Sequence, residues 1–289
     1  MIVRSAAVSD KPGIEAVLER VEAATGREAV SEHKRLRVLA RQSIEVVALD
    51  KGVVVGYGHA AWHGGGDDQH WAIEVATSPN GGTEAWTSLL ARLTAATPGG
   101  RHRYLWITRP DDLRPARAAG WTVDRTLHEM HRALPVPFDV EVPDGVVIRP
   151  FRRHVDESDW LSAHNEAFDG HPEVGGMTSE ELEMRLQQSW FDPEGLLVAW
   201  RGTRAVGSCW TKLHAGDVGE IYLIGLREDV RGIGLGRALV LLGLTDLHSR
   251  RGAQDGMLWV DEANRGAYDL YRELGFASKA TIYRMTASV

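Results

Sequence analysis

The sequence predicts an α/β protein, an α+β arrangement of mixed sheets and flanking helices, built from one unit repeated in tandem. Three observations carry that reading. An apolar run, Glu220-Ile-Tyr-Leu-Ile-Gly-Leu226, passes through the glycine turn Arg231-Gly-Ile-Gly-Leu-Gly236 into the apolar-periodic segment Ala238–Leu244. The strand and helix signals around it recur, in the same order, in the first half of the chain. Between the copies lies Leu134-Pro-Val-Pro-Phe-Asp-Val-Glu-Val-Pro-Asp-Gly145, whose prolines and weak periodicity read as a linker. The expected division is therefore 1–134, a linker at 135–145, and 146–289.

In the second copy Val147–Arg152 opens as a strand, and helices are expected around Glu157–Phe168 and Ser179–Gln188. Leu196–Trp200 and Ala205–Thr211 flank Arg201-Gly-Thr-Arg204 and read as a hairpin. After the glycine turn and its helix comes a late strand, Met257-Leu-Trp-Val260. A last helix follows, with Asn264 as its N-cap and Gly275 as its stop. The first copy repeats this grammar: Ile2–Ser5, a helix over Ile14–Thr25, and a hairpin of Ile44–Leu49 and Val53–Ala61. Trp71–Ala76 matches the strand before the glycine turn, Ala85–Leu93 the helix after it, and Tyr104–Ile107 the late strand.

Composition narrows the function. The chain has 289 residues, 43% hydrophobic and 25% charged, with a net charge of −7 and no basic block, which argues against nucleic-acid binding. Its single cysteine, Cys209, excludes an internal disulfide and suits a reducing cytoplasm. Neither a signal-peptide core nor a membrane-length apolar run is present. His59 and His63 have i,i+4 spacing, but in a strand that is no ligand pair, so no metal is expected. Tight linkage of two copies suggests a monomer.

A glycine turn that feeds a helix presents free N–H groups at the positive end of the helix dipole, a cradle for a diphosphate. Arg231 and Arg237 add charge. Dinucleotide spacing fails, because Arg237 and Leu239 stand where a third glycine is needed; a Walker loop fails because Arg237-Ala238 follows Gly236. An ordinary glycine-rich turn remains the bland alternative. The order R-x-x-G-x-G resembles the acyl-CoA pyrophosphate loop of the GCN5-related N-acetyltransferases (GNAT). A second signature of that family is similar to Asn264-Arg-Gly-Ala-Tyr-Asp-Leu-Tyr-Arg-Glu-Leu-Gly-Phe276, at Asn264, Ala267, Leu270, Tyr271, Gly275 and Phe276. The resemblance implies two tandem GNAT-like acyl-CoA N-acyltransferase domains that use acetyl-CoA as acetyl donor.

Carried over position by position, the resemblance implies that Glu220 is the general base and Tyr271 the tyrosine facing the departing sulfur. Ile224, Gly225 and Leu226 would pair with the pantetheine arm. Arg231, Gly232, Ile233, Gly234, Leu235, Gly236 and Arg237 would hold the pyrophosphate. Asn264, Arg265, Gly266, Ala267, Tyr268 and Asp269 would make the second CoA contact. Only the second copy keeps these patterns; the first has Ser78-Pro-Asn-Gly-Gly-Thr83 at the loop. It is expected to be degenerate, walling the acceptor cleft, with Gly81 and Gly82 as a weak second CoA contact at most.

His164–Met177, Ser189–Leu196 and Trp210-Thr-Lys212 are similar to a tandem actinobacterial branch of the family. That branch acetylates the cysteine amine of cysteinyl-glucosaminyl-inositol. By that resemblance Glu32, Glu173, Lys212, Glu220 and Trp259 are acceptor contacts. Trp259 replaces the branch's tyrosine and loses its hydroxyl, and Arg227-Glu-Asp229 replaces the usual proline after the signature strand. Plainer readings stand beside these: Glu220 as an exposed strand start, Glu173 in a solvated loop, Lys212 as a surface lysine, Glu32 on a solvated helix face, Trp210 and Trp259 as core. Acetylation of another small amine, or non-catalytic acyl-CoA sensing, are the alternative functions.

Overall fold

The computed structural model describes residues 1–25, 29–30, 43–63, 70–78, 81–98, 102–171 and 174–287. Contacts divide the chain into two compact units. One is Met1–Thr126 together with the segment from Ile282, the other Leu127–Thr281. The division does not follow the expected cut at 134 and 146. The proline-rich stretch packs Val136, Phe138 and Val140 against the core of the second unit. Its apolar residues alternate, so it adheres as an extended strap.

In the first unit the strands run β1 (Ile2–Ser5), β2 (Ser43–Asp50), β3 (Val53–His63), β4 (His70–Thr77) and β5 (His102–Ile107), neighbouring in that order. The β4–β5 pair is parallel and the others antiparallel. Helix α1 (Lys11–Thr25) buries Ile14, Val17, Leu18 and Val21, one stripe at helical spacing. Helix α2 (Gly82–Ala96) buries Ala85, Trp86, Leu89, Leu90 and Leu93. It sits close to β3 because Gly56 and Gly58 carry no side chain: a Cβ on either would lie 2.8 Å from Leu89 or Leu93. A short helix, α3 (Leu113–Ala118), leads into β6 (Trp121–Ala133).

Strand β6 gives Trp121–Thr126 to the first unit and Leu127–Ala133 to the second. The second unit continues with β7 (Val147–Pro150), α4 (Glu157–Ala167), α5 (Ser179–Leu186), β8 (Leu196–Arg201), β9 (Arg204–Leu213) and β10 (Val218–Leu226). Then come α6 (Leu235–Ser249), β11 (Asp255–Asp261) and α7 (Arg265–Glu273). Strand order runs β6-β11-β10-β9-β8-β7, with β10–β11 parallel. The final strand, β12 (Ala277–Ala287), divides like β6: its residues from Ile282 lie in the first unit, where Tyr283–Thr286 pair with Tyr104–Ile107.

Helix α6 covers one face of the second sheet with Leu235, Ala238, Leu239, Leu241, Leu244 and Leu247. Trp160 of α4 and Leu182 and Leu186 of α5 cover the other, against Trp200 and Trp210. Gly243 of α6 sits directly over the strands; a Cβ there would lie 2.9 Å from Cys209 Sγ and 3.0 Å from Ile221 Cδ1. Among the described residues no helix is long and apolar enough to cross a membrane, and no cluster of metal-ligating side chains occurs.

Candidate active site

The glycine turn sits between β10 and α6. Gly232 and Gly234 adopt positive φ, 79° and 90°, where a side chain would be strained and where the space around is open. Gly234 is the N-cap of α6 and supplies no side-chain cap, so the first N–H groups of that helix are left uncapped by it. Arg231 is exposed at the turn. Arg237 lies 5.1 Å from the Phe138 ring and 3.9 Å from Glu273. A backbone of this kind fits a diphosphate.

Strand β10 carries the central irregularity. It pairs with β9 from Gly219–Leu213 to Leu226–Gly207, with a bulge between Ile221 and Leu223. Its parallel pairing with β11 covers only Val218–Ile221 against Asp255–Leu258. Beyond that point Tyr222–Leu226 has no strand neighbour on the β11 side among the described residues, so backbone groups face an opening. Ile224, Leu226, Ala267, Tyr268 and Leu270 pack on one core, and a Cβ on Gly236 would lie 3.4 Å from Leu226 and 3.9 Å from Leu270. Turn, splayed strand and α7 therefore converge at one place.

Glu220 stands just before the bulge, 8% exposed, in register with Lys212 on β9 and Met257 on β11. Its Oε2 is 2.7 Å from His214 Nε2. Sequence reasoning passed over His214. Its signal was a histidine two residues after Lys212, hence on the same strand face. Lys212 is 7% exposed, with Nζ 4.8 Å from the Trp190 ring and 5.6 Å from that of Tyr222. It is therefore no surface lysine. Trp210 is fully buried in this aromatic group.

Tyr271 lies on the other side of the sheet, in the α6 core, 5% exposed and 5.9 Å from Phe276 ring to ring. Burial, and secondarily the neighbouring Cys209, pushes its hydroxyl well above the ordinary tyrosine range. Glu220 and Tyr271 thus flank the opening from opposite faces. Asn264 caps α7, its side chain accepting from Ala267 N at 3.3 Å. Trp259, half-buried on β11, is in register with Glu129 and shares the Met257 face, hence that of Glu220. Glu32 and Glu173 lie outside the described residues.

Register shows what the first unit has instead. Gly56 pairs with Thr77 there as Gly207 pairs with Leu226 in the second unit. Counting back along each ladder puts Ala61 and Ala72 where Lys212 and Glu220 stand. Strand β4 has no bulge against β3. A cavity of 490 Å³ opens at the start of α2, but Asp111 and Asp112 line it as well as Arg109 and Arg114, so its charges offset.

Comparisons with known proteins identify the family. Residues 160–276 match the acetyltransferase (GNAT) family. The fold resembles a GCN5-related N-acetyltransferase from Sphaerobacter thermophilus, with a TM-score of 0.70 and 24% identity over 99% of this chain and 94% of the other. It also resembles a tandem GNAT protein from the clavulanic acid biosynthesis pathway, with a TM-score of 0.69 and 15% identity over 99% and 98%. The mycothiol acetyltransferase of Thermomonospora curvata is 39% identical, covering 93% of this chain and 92% of the relative. That of Geodermatophilus obscurus is 36% identical, covering 96% of each. With identity at that level along nearly the whole of both chains, the protein belongs to the mycothiol acetyltransferase family, within the GNAT acetyltransferases.

Proposed function

We propose that the protein transfers the acetyl group of acetyl-CoA to the cysteine amine of cysteinyl-glucosaminyl-inositol, giving mycothiol. The observation that carries this is identity to mycothiol acetyltransferases that spans both halves, including the half without the GNAT signatures. The second unit would hold the single working centre, since alanines occupy the Lys212 and Glu220 positions in the first. Gly232–Arg237 and the start of α6 would hold the pyrophosphate, and the open edge of Ile224–Leu226 the pantetheine arm. Arg265, Gly266 and Asp269, at the start of α7, would add the second contact. The thioester supplies an activated carbonyl; the rest is the work of the chain.

An α-amine must be neutral to attack, and with a reference pKa of about 7.7–8.0 roughly a tenth of it is neutral at pH 7. Glu220 takes the proton, and fixed geometry supplies much of the remaining acceleration. An N–H in Ile224–Leu226 polarises the carbonyl. Tyrosine near 10 and a thiol near 8.5 already make full proton transfer from Tyr271 uphill by about 2 kcal/mol. Burial raises Tyr271 further, so its role is to donate a hydrogen bond to the departing sulfur rather than to give up its proton. Lys212, Trp259, Glu32 and Glu173 would contact the acceptor, within a cytoplasmic monomer that needs no metal. Turnover with cysteinyl-glucosaminyl-inositol, set against a panel of other amines, tests the reading. Turnover confined to a different amine would displace it, and CoA binding without any turnover would make the protein a sensor.

A further inference from the structure

We propose that His214 is the outlet for the proton that Glu220 collects. This rests on the reading of Glu220 as the base. Glu220 is nine-tenths buried, so a proton placed on its carboxyl has little direct access to water. His214 has its Nε2 2.7 Å from Glu220 Oε2, and its own side chain is 31% exposed against 10% for Glu220. An imidazole can accept at one ring nitrogen and release from the other. Nε2 faces the carboxylate, while Nδ1 has no hydrogen-bond partner among the described residues.

The backbone fixes that aim. His214 N donates to Val218 O at 2.8 Å and closes the β9–β10 hairpin, whose turn passes through Gly216 and Asp217 at positive φ. The carbonyl of Asp217 accepts from Gln254 N at 2.9 Å, which ties the turn to the start of β11. His214 and Glu220 are diagonal neighbours on one sheet face, and such pairs are within reach of long side chains.

The proton balance is simple. The acceptor ammonium loses one proton to Glu220, which passes it to Nε2 of His214, and Nδ1 releases one to water. The neutral amine then forms the C–N bond, the C–S bond breaks, and the second amine proton ends on the CoA thiolate. One proton leaves per acetyl transferred, by the His214 route. His214 acts through Glu220 and is a positioning and relay residue.

The test compares His214→Gln and His214→Ala with the wild type at saturating acetyl-CoA, with and without added imidazole. Glutamine can keep a hydrogen bond to Glu220 but cannot pass a proton. Both variants should lose about tenfold in kcat, a part of what general base catalysis contributes, while the KM for acetyl-CoA stays unchanged. Imidazole should restore the alanine variant in proportion to its concentration and leave the wild type unaffected. A glutamine variant at wild-type rate would show that the hydrogen bond alone matters, and an alanine variant deaf to imidazole would exclude the relay; either overturns the proposal. A wild type that turns over a different amine would displace the acceptor named above and leave the variant comparison intact. A wild type with no transfer to any amine would overturn both.

Discussion

On the proposed reading of Glu220 as the base, replacing it with glutamine removes the base and little else. The side chain keeps its length, stays in its nine-tenths buried place beside Lys212 on β9, and can still hydrogen-bond His214. A positioned general base contributes about 10²–10⁴-fold. With roughly a tenth of the amine neutral at pH 7, the loss should fall at the low end, about a hundredfold in kcat or ~2.7 kcal/mol. The variant should then follow the neutral amine, gaining about eightfold between pH 7 and pH 9 as that fraction approaches one. Acetyl-CoA affinity, measured by calorimetry, should hardly move, because the glycine turn and α7 are untouched. Because the acceptor itself carries a thiol, product should be followed by mass spectrometry rather than by a thiol reagent. A rate within threefold of wild type, or a large loss of CoA affinity, would refute the assignment of Glu220.

Three further outcomes are expected. Gly243→Val should destabilise the protein by about 3 kcal/mol in denaturant unfolding, because even a Cβ lies 2.9 Å from Cys209 Sγ and 3.0 Å from Ile221. His164 is buried, 4.8 Å from the Trp160 ring. Burial, with a smaller contribution from Arg185, outweighs its hydrogen bond to Val174 O and holds it down at about 4. Its folded value lies below the ordinary 6.5, so the stability it contributes is present above pH 6.5 and is lost as pH falls towards 4. That loss is about 3 kcal/mol, and His164→Gln should flatten the stability profile across that window. Cys209 is fully buried and its thiol is pushed up to about 12 by burial first and Asp246 second, so alkylating reagents should label it only after unfolding, as read by mass spectrometry.

Much of the local geometry of the proposed site was legible because it is written in contiguous residues. Arg231–Gly236 and Asn264–Phe276 each carry their geometry locally, as positive-φ glycines or as a capped helix, so spacing alone locates them. His214 was not legible as a partner of Glu220, since six residues and a turn separate them and only strand pairing makes them neighbours. The bulge at Ile221–Leu223 was hidden for the same reason: it is a property of two strands, not of one. Without allowance for it, a count back along the first unit's strand would fall on Trp71, whereas the ladder puts Ala72 opposite Ala61, at the Glu220 position. The packing of the 135–145 stretch was not legible, because its prolines advertise a linker while its alternating apolar residues lie on the second core.

The division of β12 between the two units has a consequence for the order in which the chain is made. Tyr104–Ile107 emerge from the ribosome long before their antiparallel neighbours Tyr283–Thr286 exist. At about 5–20 residues per second, that delay is on the order of ten seconds or more. Throughout it, one side of β5 is an unpaired strand edge, open to any extended segment that arrives first. The nascent chain must therefore protect that edge while the whole of the second unit is synthesised, and a ribosome that stalls before Ile282 leaves the first unit short of a strand.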